Sequence, residues 1–368
     1  MSKILLIGNS GLKKHGEDGQ TVKVRLYCKK IIDEGFDLDF IDLEDFIKKP
    51  FSILNKIKKS IKKCDRVVLI SAKRGCRLLI PFINRHNRKL QKPFILPLVG
   101  TSVLHFSIDK LTDDEKNRFL LDKDYSLCKR NKKITKQLAQ IDYVLPETDI
   151  LVDTFKDFYG LNNVFKLNNF RDFDVLKKQA SDNIEELKLV FLSRVMQMKG
   201  IFDLMDVIRD ISETHKGISL DVYGMKNLSE EENNLFNSYV DNKIISYKGI
   251  VNNNLVCSTL SNYDLFVFPT RFVGEGTPGV IAESLIAGTP VLSVDFPQAH
   301  LLLNDGFDSI LCKMFDKEDL KTKLLYIISN NHFLSELKKG AIETGKRYTY
   351  DYERASFLKY ICGVGGEK

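Results

Sequence analysis

The chain has 368 residues, of which 43% are hydrophobic and 29% charged, and this ordinary composition excludes an intrinsically disordered protein. No run approaches the roughly 18–20 apolar residues that a membrane span needs, which excludes a transmembrane protein. The formal charge of +7 is concentrated in the stretch 51–100, which holds 13 basic residues and one acid, Asp65. A local basic field of this kind attracts anions.

The predicted elements of the first half alternate short apolar runs with helix-period segments. The strands are predicted at 3–8, 37–43, 66–71 and 93–100, and the helices at about 21–34, 51–63 and 76–90. Because Met1 leads within three residues into the first strand, we expect no signal peptide.

The same alternation restarts after the polar segment 168–185. It predicts strands at 187–193, 218–224, 243–249, 264–269 and 291–294, and helices at 200–211 and 278–287. Strands separated by single helices indicate parallel sheets, so the predicted fold class is α/β with two doubly wound domains. We place the first domain at 1–172 and the second at 173–347.

The seven cysteines are scattered and include no CxxC pair. An odd number of unpaired cysteines favours reduced thiols, a cytoplasmic protein and no structural zinc.

Ligands of doubly wound domains bind at the loops that follow the carboxyl ends of the strands. The first such loop contains Gly8, Gly11, Gly16 and Gly19, which allow backbone N–H groups to approach a phosphate or a sugar. Its spacing matches neither the dinucleotide-binding pattern nor the P-loop pattern, and a long turn without a ligand is the alternative.

The loop at 193–200 offers two cations, Arg194 and Lys199, five residues apart. Such a pair suits one diphosphate, although two solvated loop charges are an equally good interpretation of the pair alone.

The loop and helix that follow the strand at 264–269 are the most informative. Thr277 is predicted as the N-cap and Pro278 as the first helical residue. Glu275 precedes the helix, and Glu283 lies within it among apolar neighbours, which favours partial burial and a partner. Both carboxylates can accept hydrogen bonds from sugar hydroxyls, and the helix amino terminus can hold a phosphate.

The sequence GEGTPGVIAESLIAGTPV around Glu275 and Glu283, with SRVMQMKG about eighty residues upstream, resembles the donor-binding domain of family 4 retaining glycosyltransferases of the GT-B fold. The capsular and exopolysaccharide branch is the most similar, because its first-domain loop resembles DGQTVKVR at 18–25. The resemblance implies two Rossmann-like domains that face each other across a cleft, and a final helix, 348–368, that returns to the first domain.

The resemblance also implies roles for individual residues. Arg194 and Lys199 would neutralise the donor diphosphate and Glu275 would contact the transferred sugar, which makes these three the predicted catalytic residues. Glu283 would accept hydrogen bonds from the ribose. The other implied donor-binding residues are Thr277, Gly279, Val280, Gly19, Gln20, Ile250 and Val251.

On the acceptor side the resemblance points to Gly100, Thr101 and His105, with a structural role as the alternative for His105. Many relatives have two glycines in place of Gly100 and Thr101, and a glutamate in place of His300, so the acceptor and sugar preferences stay open. Asp37 and Asp39 form a DxD, the metal motif of another glycosyltransferase fold, but they lie in a predicted strand. We expect no metal and no cofactor; the donor is a nucleoside-diphosphate sugar, with a UDP-sugar favoured.

The implied reaction transfers a sugar to a hydroxyl of a glycan or lipid-linked acceptor in bacterial surface polysaccharide biosynthesis, with retention of the anomeric configuration. A nucleotide-sugar epimerase or hydrolase and a non-catalytic glycosyltransferase partner are the alternatives. The basic stretch 51–100 predicts peripheral docking on the inner face of the plasma membrane, unless its lysines only solvate two surface helices. Basic residues do not alternate with aromatic ones on any strand, so we expect no nucleic-acid partner.

Overall fold

A computed structural model of the protein describes residues 2–12, 19–100, 103–175, 186–241, 243–273 and 275–365, except the side chains of His105 and Asp113. The chain divides into two units, one comprising residues 1–168 and 353–368 and the other residues 169–352. Each unit has a hydrophobic core of its own.

The first unit is a doubly wound α/β domain. The strands are β1 (Lys3–Gly8), β2 (Asp37–Asp42), β3 (Arg66–Ile70), β4 (Phe94–Pro97) and β5 (Tyr143–Leu145). They pair in parallel in the order β2-β1-β3-β4-β5. The helices are α1 (Gly19–Asp33), α2 (Pro50–Ile61), α3 (Lys73–Asn87), α4 (His105–Ile108), α5 (Asp113–Leu121), α6 (Lys132–Leu138) and α7 (Asp149–Asp157).

The second unit repeats this architecture. The strands are β6 (Leu187–Leu192), β7 (Ile218–Tyr223), β8 (Ile245–Gly249), β9 (Leu265–Phe268), β10 (Val291–Val294) and β11 (Ser309–Cys312). They pair in parallel in the order β11-β10-β9-β6-β7-β8. The helices are α8 (Ile201–Thr214), α9 (Glu230–Tyr239), α10 (Val256–Leu260), α11 (Gly279–Ile286), α12 (Ala299–Leu302), α13 (Lys317–Ile328) and α14 (Asn331–Gly345).

The last helical elements among the described residues are α15 (Tyr350–Phe357) and a π-helical turn (Leu358–Cys362), and the residues from 353 onward belong to the first unit. Arg66 donates hydrogen bonds from Nε to Ile361 O at 3.0 Å and from Nη2 to Tyr360 O at 2.9 Å. Arg354 binds both carboxylate oxygens of Glu34, at 2.6 and 2.7 Å. These charge-assisted contacts fix the end of the chain to the first unit.

The predicted α/β fold class is confirmed, and so is each predicted strand. Central strands such as β3 and β10 are apolar almost throughout and fully buried along most of their length, which is typical of a parallel sheet covered by helices on both faces. The sequence interpretation omitted two strands, β5 and β11. The helix predicted at 76–90 is α3, which starts earlier because Cys76 N already donates to Ala72 O at 3.0 Å.

Candidate active site

The second sheet reverses its direction of growth at β6. From β6 the chain adds β7 and β8 on one side, and then returns to add β9 on the other. Ligands of open α/β sheets bind at such a switch point, beyond the carboxyl ends of the strands. The loop after β6 carries Arg194 and Lys199, and the loop after β9 carries Glu275.

Gly200 brings these two loops together. Its φ is +74°, and a Cβ at this residue would lie 1.8 Å from Pro269 O. Both the left-handed backbone and the close approach therefore require glycine. Arg271 N donates to Met198 O at 3.0 Å, so the loops are also joined by their backbones.

Lys199 and Glu275 form a buried ion pair between Nζ and Oε1, with side chains that are 12% and 9% exposed. Thr270 Oγ1 donates to the same Oε1 at 2.7 Å. Nζ also lies 5.7 Å from the ring centroid of Phe268 and 5.8 Å from that of Phe272, within the range of a cation–π interaction. Two of the predicted catalytic residues are thus in direct contact.

Arg194 is held differently, because its backbone is fixed while its side chain is exposed. The neighbouring Val195 N donates to Met225 O at 3.0 Å, and Val195 O accepts from Asn227 N at 2.9 Å. Within the described part of the chain, the guanidinium of Arg194 forms no ion pair. It is available for an anionic ligand.

Helix α11 begins at Gly279, and the prediction of Thr277 as its N-cap is wrong. Pro278 occupies the N-cap position, because its ψ of 119° is not helical. Its side chain makes no capping hydrogen bond. Thr277 lies one residue further out, where its carbonyl accepts from Asn169 Nδ2 at 3.5 Å. The amides of Gly279 and Val280 open the helix and, like the first N–H groups of any helix, lack partners within it.

Glu283 lies in the second turn of α11 and binds a residue that the sequence interpretation missed. Arg171 Nε donates to Glu283 Oε1 at 2.7 Å, and the two side chains are 7% and 16% exposed. Burial raises the pKa of the nearby Cys257 thiol, and the charge of Glu283 raises it further. Arg171 lies in the polar segment 168–185, and no local pattern distinguishes it there.

Ile250 and Val251 follow β8 at the same edge of the sheet; Ile250 is 68% exposed, and Val251 is half-buried. Gly249 O accepts from Gly224 N at 2.8 Å, and a Cβ on Gly224 would lie 1.7 Å from Ser193 O. The loops after β8, β7 and β6 therefore adjoin one another.

Of the predicted first-unit residues, Gly19, Gln20 and Gly100 lie at the carboxyl edge of the first sheet. Gly19 and Gln20 open α1, and a Cβ on Gly19 would meet no atom within 4 Å. Gly100 follows β4 with a φ of +51°. Thr101 lies outside the described residues, and of His105 only the backbone position at the start of α4 is described.

A buried ion pair at this edge was also missed by the sequence interpretation. Lys23 Nζ donates to Glu147 Oε1 at 2.7 Å and to Leu98 O at 2.8 Å, and the two charged side chains are 4% and 3% exposed. The pair ties α1 to the segments that follow β4 and β5. The local signal was a charged residue placed directly after an apolar run.

The DxD residues Asp37 and Asp39 lie in β2, where Asp37 pairs with Lys3 at 3.3 Å. Among the described residues no three His, Cys, Asp or Glu side chains are grouped so that they could hold a metal ion. His300 Nε2 lies 3.1 Å from Asp295 Oδ1 on the exposed surface.

The second part of the chain is similar to a known protein family. Residues 172–347 match the family model described as "Glycosyl transferases group 1". A curated relative, the uncharacterized glycosyltransferase MJ1178 of Methanocaldococcus jannaschii, is 27% identical over 177 residues, which cover 48% of this chain and 46% of that protein. The chain thus spans about half the length of this curated relative.

Solved structures match the whole chain at low identity. Anabaena Alr3699/HepE in complex with UDP has a TM-score of 0.70 at 11% identity, with 99% of this chain and 100% of that chain covered. Sucrose-phosphate synthase from Thermosynechococcus elongatus has a TM-score of 0.69 at 12% identity, with 99% of each chain covered. Residues 172–347 are therefore similar to the glycosyl transferases group 1 family, and the chain has the GT-B fold.

Proposed function

We propose that the protein is a glycosyltransferase that moves a sugar from a nucleoside-diphosphate sugar to a hydroxyl of a glycan or lipid-linked acceptor. One observation carries this proposal. At the carboxyl edge of the second sheet, Glu275 and Glu283 each bind a buried cation, and the exposed Arg194 and the start of α11 lie at the same edge. Cations and helix amides bind phosphates, and carboxylates bind sugar hydroxyls.

The chemistry required at this site is stabilisation of a leaving diphosphate. Arg194, Lys199 and the amides of Gly279 and Val280 would bind the phosphates as negative charge develops on them. Lys199 and Thr270 both contact Oε1 of Glu275 and so fix the direction of its carboxylate. A carboxylate held in this way would orient the sugar.

We also propose retention of the anomeric configuration and no need for a metal. The leaving phosphate can itself accept the proton of the acceptor hydroxyl on the same face of the sugar. Proton NMR of the product gives its anomeric configuration, and inversion would contradict the proposal. Activity should persist in EDTA, and a loss restored by a divalent cation would contradict metal independence.

A UDP-sugar is the favoured donor, since Anabaena HepE has been solved with UDP and with UDP-glucose. Thermal unfolding should be measured against a panel of UDP-, GDP- and ADP-sugars. A ligand at 100 times its Kd stabilises by about 2.7 kcal/mol, so the true donor should raise the Tm by several degrees. Glu283→Ala should abolish the shift, and Glu343→Ala, on the exposed face of α14, should keep it. A panel without any stabilising nucleotide sugar would overturn the proposed function.

We propose that the protein acts in bacterial surface polysaccharide biosynthesis in the cytoplasm. There it would dock on an anionic membrane that carries the acceptor. No helix in the described ranges is long and apolar enough to cross a membrane. In the first unit, Ile47 and Phe51 are 91% and 82% exposed around Lys48 and Lys49. The exposed cations of α2, α3 and the segments after them are Lys56, Lys58, Lys59, Lys62, Lys63, Arg74, Arg77, Arg85, Arg88 and Lys89.

Co-sedimentation with vesicles tests this docking, because each suitably placed cation contributes up to about 1 kcal/mol. Binding should require anionic lipid, fall with salt, and weaken in Ile47→Ser/Phe51→Ser. The matched control is Leu235→Ser, since Leu235 is also exposed but lies on α9 after three glutamates. Binding that is independent of both anionic lipid and salt would exclude the docking surface.

A further inference from the structure

Arg171 lies near the start of the second unit, and its backbone is fixed on both sides. Its N–H donates to Tyr348 O at 2.7 Å, and its carbonyl accepts from Tyr350 N at 2.9 Å. The residue is 6% exposed. The backbone that carries the guanidinium is therefore held in place by hydrogen bonds.

The guanidinium has three kinds of acceptor around it. Nε donates to Glu283 Oε1 at 2.7 Å, and Nη1 donates to Asn169 Oδ1 at 2.9 Å and to Phe170 O at 3.1 Å. The planar fork of an arginine satisfies these directions at once, which a lysine cannot do. Its orientation is thus fixed by Asn169 and Phe170 as well as by the glutamate.

Gly279 makes room for this arrangement. A Cβ at residue 279 would lie 1.9 Å from Arg171 Nη2, so the guanidinium reaches the start of α11 only because this residue has no side chain. Gly279 thus serves the placement of Arg171 as well as the exposure of its own amide.

The two glutamates of the site are held in the same way. Lys199 occupies Oε1 of Glu275, and Arg171 occupies Oε1 of Glu283. In the described part of the chain, Oε2 of neither glutamate accepts a hydrogen bond. A carboxylate fixed through one oxygen presents the other in a defined direction, at a lower entropic cost when a ligand binds.

We propose that Arg171 is a positioning residue for the donor nucleotide, which fixes Glu283 so that Oε2 accepts the ribose hydroxyls. The inference rests on the proposed function, because it assigns the nucleoside part of the donor to Glu283. It adds a residue outside the two-glutamate pattern and outside the loops after β6 and β9.

A purely structural role is separable from this one, because the second unit contains a matched ion pair. Lys338 Nζ and Asp264 Oδ1 lie 2.8 Å apart with side chains 7% and 15% exposed, almost as for Arg171 and Glu283. Asp264 immediately precedes β9 and so lies at the amino edge of the sheet, opposite the site. A buried pair contributes little net stability on average, so burial alone does not explain Arg171.

The test is calorimetric titration with UDP, 2′-deoxy-UDP and 3′-deoxy-UDP. Arg171→Gln should weaken UDP binding by about tenfold or more, the loss expected for a charged hydrogen bond. The wild type should discriminate against at least one deoxy analogue, and Arg171→Gln should lose most of that discrimination. Arg171→Gln/Glu283→Gln should bind UDP no more weakly than Glu283→Gln. Lys338→Gln should keep both the affinity and the discrimination.

The outcomes separate this inference from the proposed function. Tight UDP binding with unchanged ribose discrimination in Arg171→Gln overturns the role of Arg171 alone. Tighter UDP binding in that variant also overturns it, because Arg171 would then compete with the donor. A wild type that binds no UDP, GDP or ADP overturns both proposals. If Arg171→Gln does not fold, Arg171→Lys takes its place, with the same loss of discrimination expected.

Discussion

Gly200 is a residue at which the backbone of the site is tightly constrained. Its φ of +74° and the 1.8 Å approach of Pro269 O to a Cβ exclude any other residue without movement of a loop. We expect Gly200→Ala to lower the free energy of unfolding by more than about 2 kcal/mol and to weaken donor binding. Urea unfolding and titration with UDP measure the two effects.

Gly306 is the matched control for this substitution. Its φ is +78°, but a Cβ there would meet nothing within 4 Å. Gly306→Ala should therefore cost only the backbone strain, about 1 kcal/mol, and leave UDP binding unchanged. Equal effects of the two substitutions would show that the contact with Pro269 is unimportant.

The ion pair of Lys199 and Glu275 also belongs to the residue scale. Glu275→Gln removes the charge that balances a buried lysine, and unpaired buried charges are costly. We expect UDP release from the donor sugar to slow by at least about 100-fold, with a lower Tm. Arg271→Gln breaks the neighbouring pair with Asp203, whose side chains are 34% and 20% exposed, and should slow release less than about threefold. A Glu275→Gln enzyme as fast as the wild type would exclude Glu275 from the reaction.

At the scale of elements, α15 contains a buried carboxyl group. Glu353 is 5% exposed and accepts from Asn168 Nδ2. Burial raises its pKa, against the smaller opposing effects of Asn168 and Lys166. A carboxyl group whose folded pKa is raised contributes stability that is complete below its unfolded pKa of about 4.3 and is lost as the pH rises through its folded pKa.

Glu353→Gln removes this titration. The variant should gain stability relative to the wild type as the pH rises from about 4 to 8. In this range the unfolded wild type ionises Glu353 freely, whereas the folded wild type must either bury the charge or keep Glu353 protonated. Chemical unfolding across this pH range measures the difference. A difference that stays constant with pH, or that shrinks as the pH rises, would contradict the assignment.

At the scale of the whole molecule, the two units have separate cores. Leu69 is fully buried in β3 of the first unit, whereas the two glutamates and their cations lie in the second. We expect Leu69→Ala to cost about 2–5 kcal/mol of stability and to leave the UDP affinity of the folded protein within threefold. Calorimetry below the unfolding transition tests this. A larger loss of affinity would show that UDP binding depends on the packing of the first core.

Nine of the eleven described strands were predictable, because each sheet is parallel and buried. Runs such as RVVLI in β3 and VLSV in β10 are apolar almost throughout, and the helices that were predicted between strands show a clear period. The loops after β6 and β9 were predictable for the same reason, since ligands bind where such strands end. The start of α11 was not, because Thr277 and Pro278 both suit a helix start, and only the ψ of Pro278 decides between them.

The sequence by itself determined the fold class, the loops that carry charge, and the pattern of Glu275 and Glu283, because these depend on period and on neighbours in the chain. Only the tertiary structure decided the partners. Arg171 and Glu283 are separated by 112 residues, and Lys23 and Glu147 by 124, yet each pair is in contact. Such pairs form because folding removes the charges from water and each then requires a counter-charge, wherever in the chain it lies.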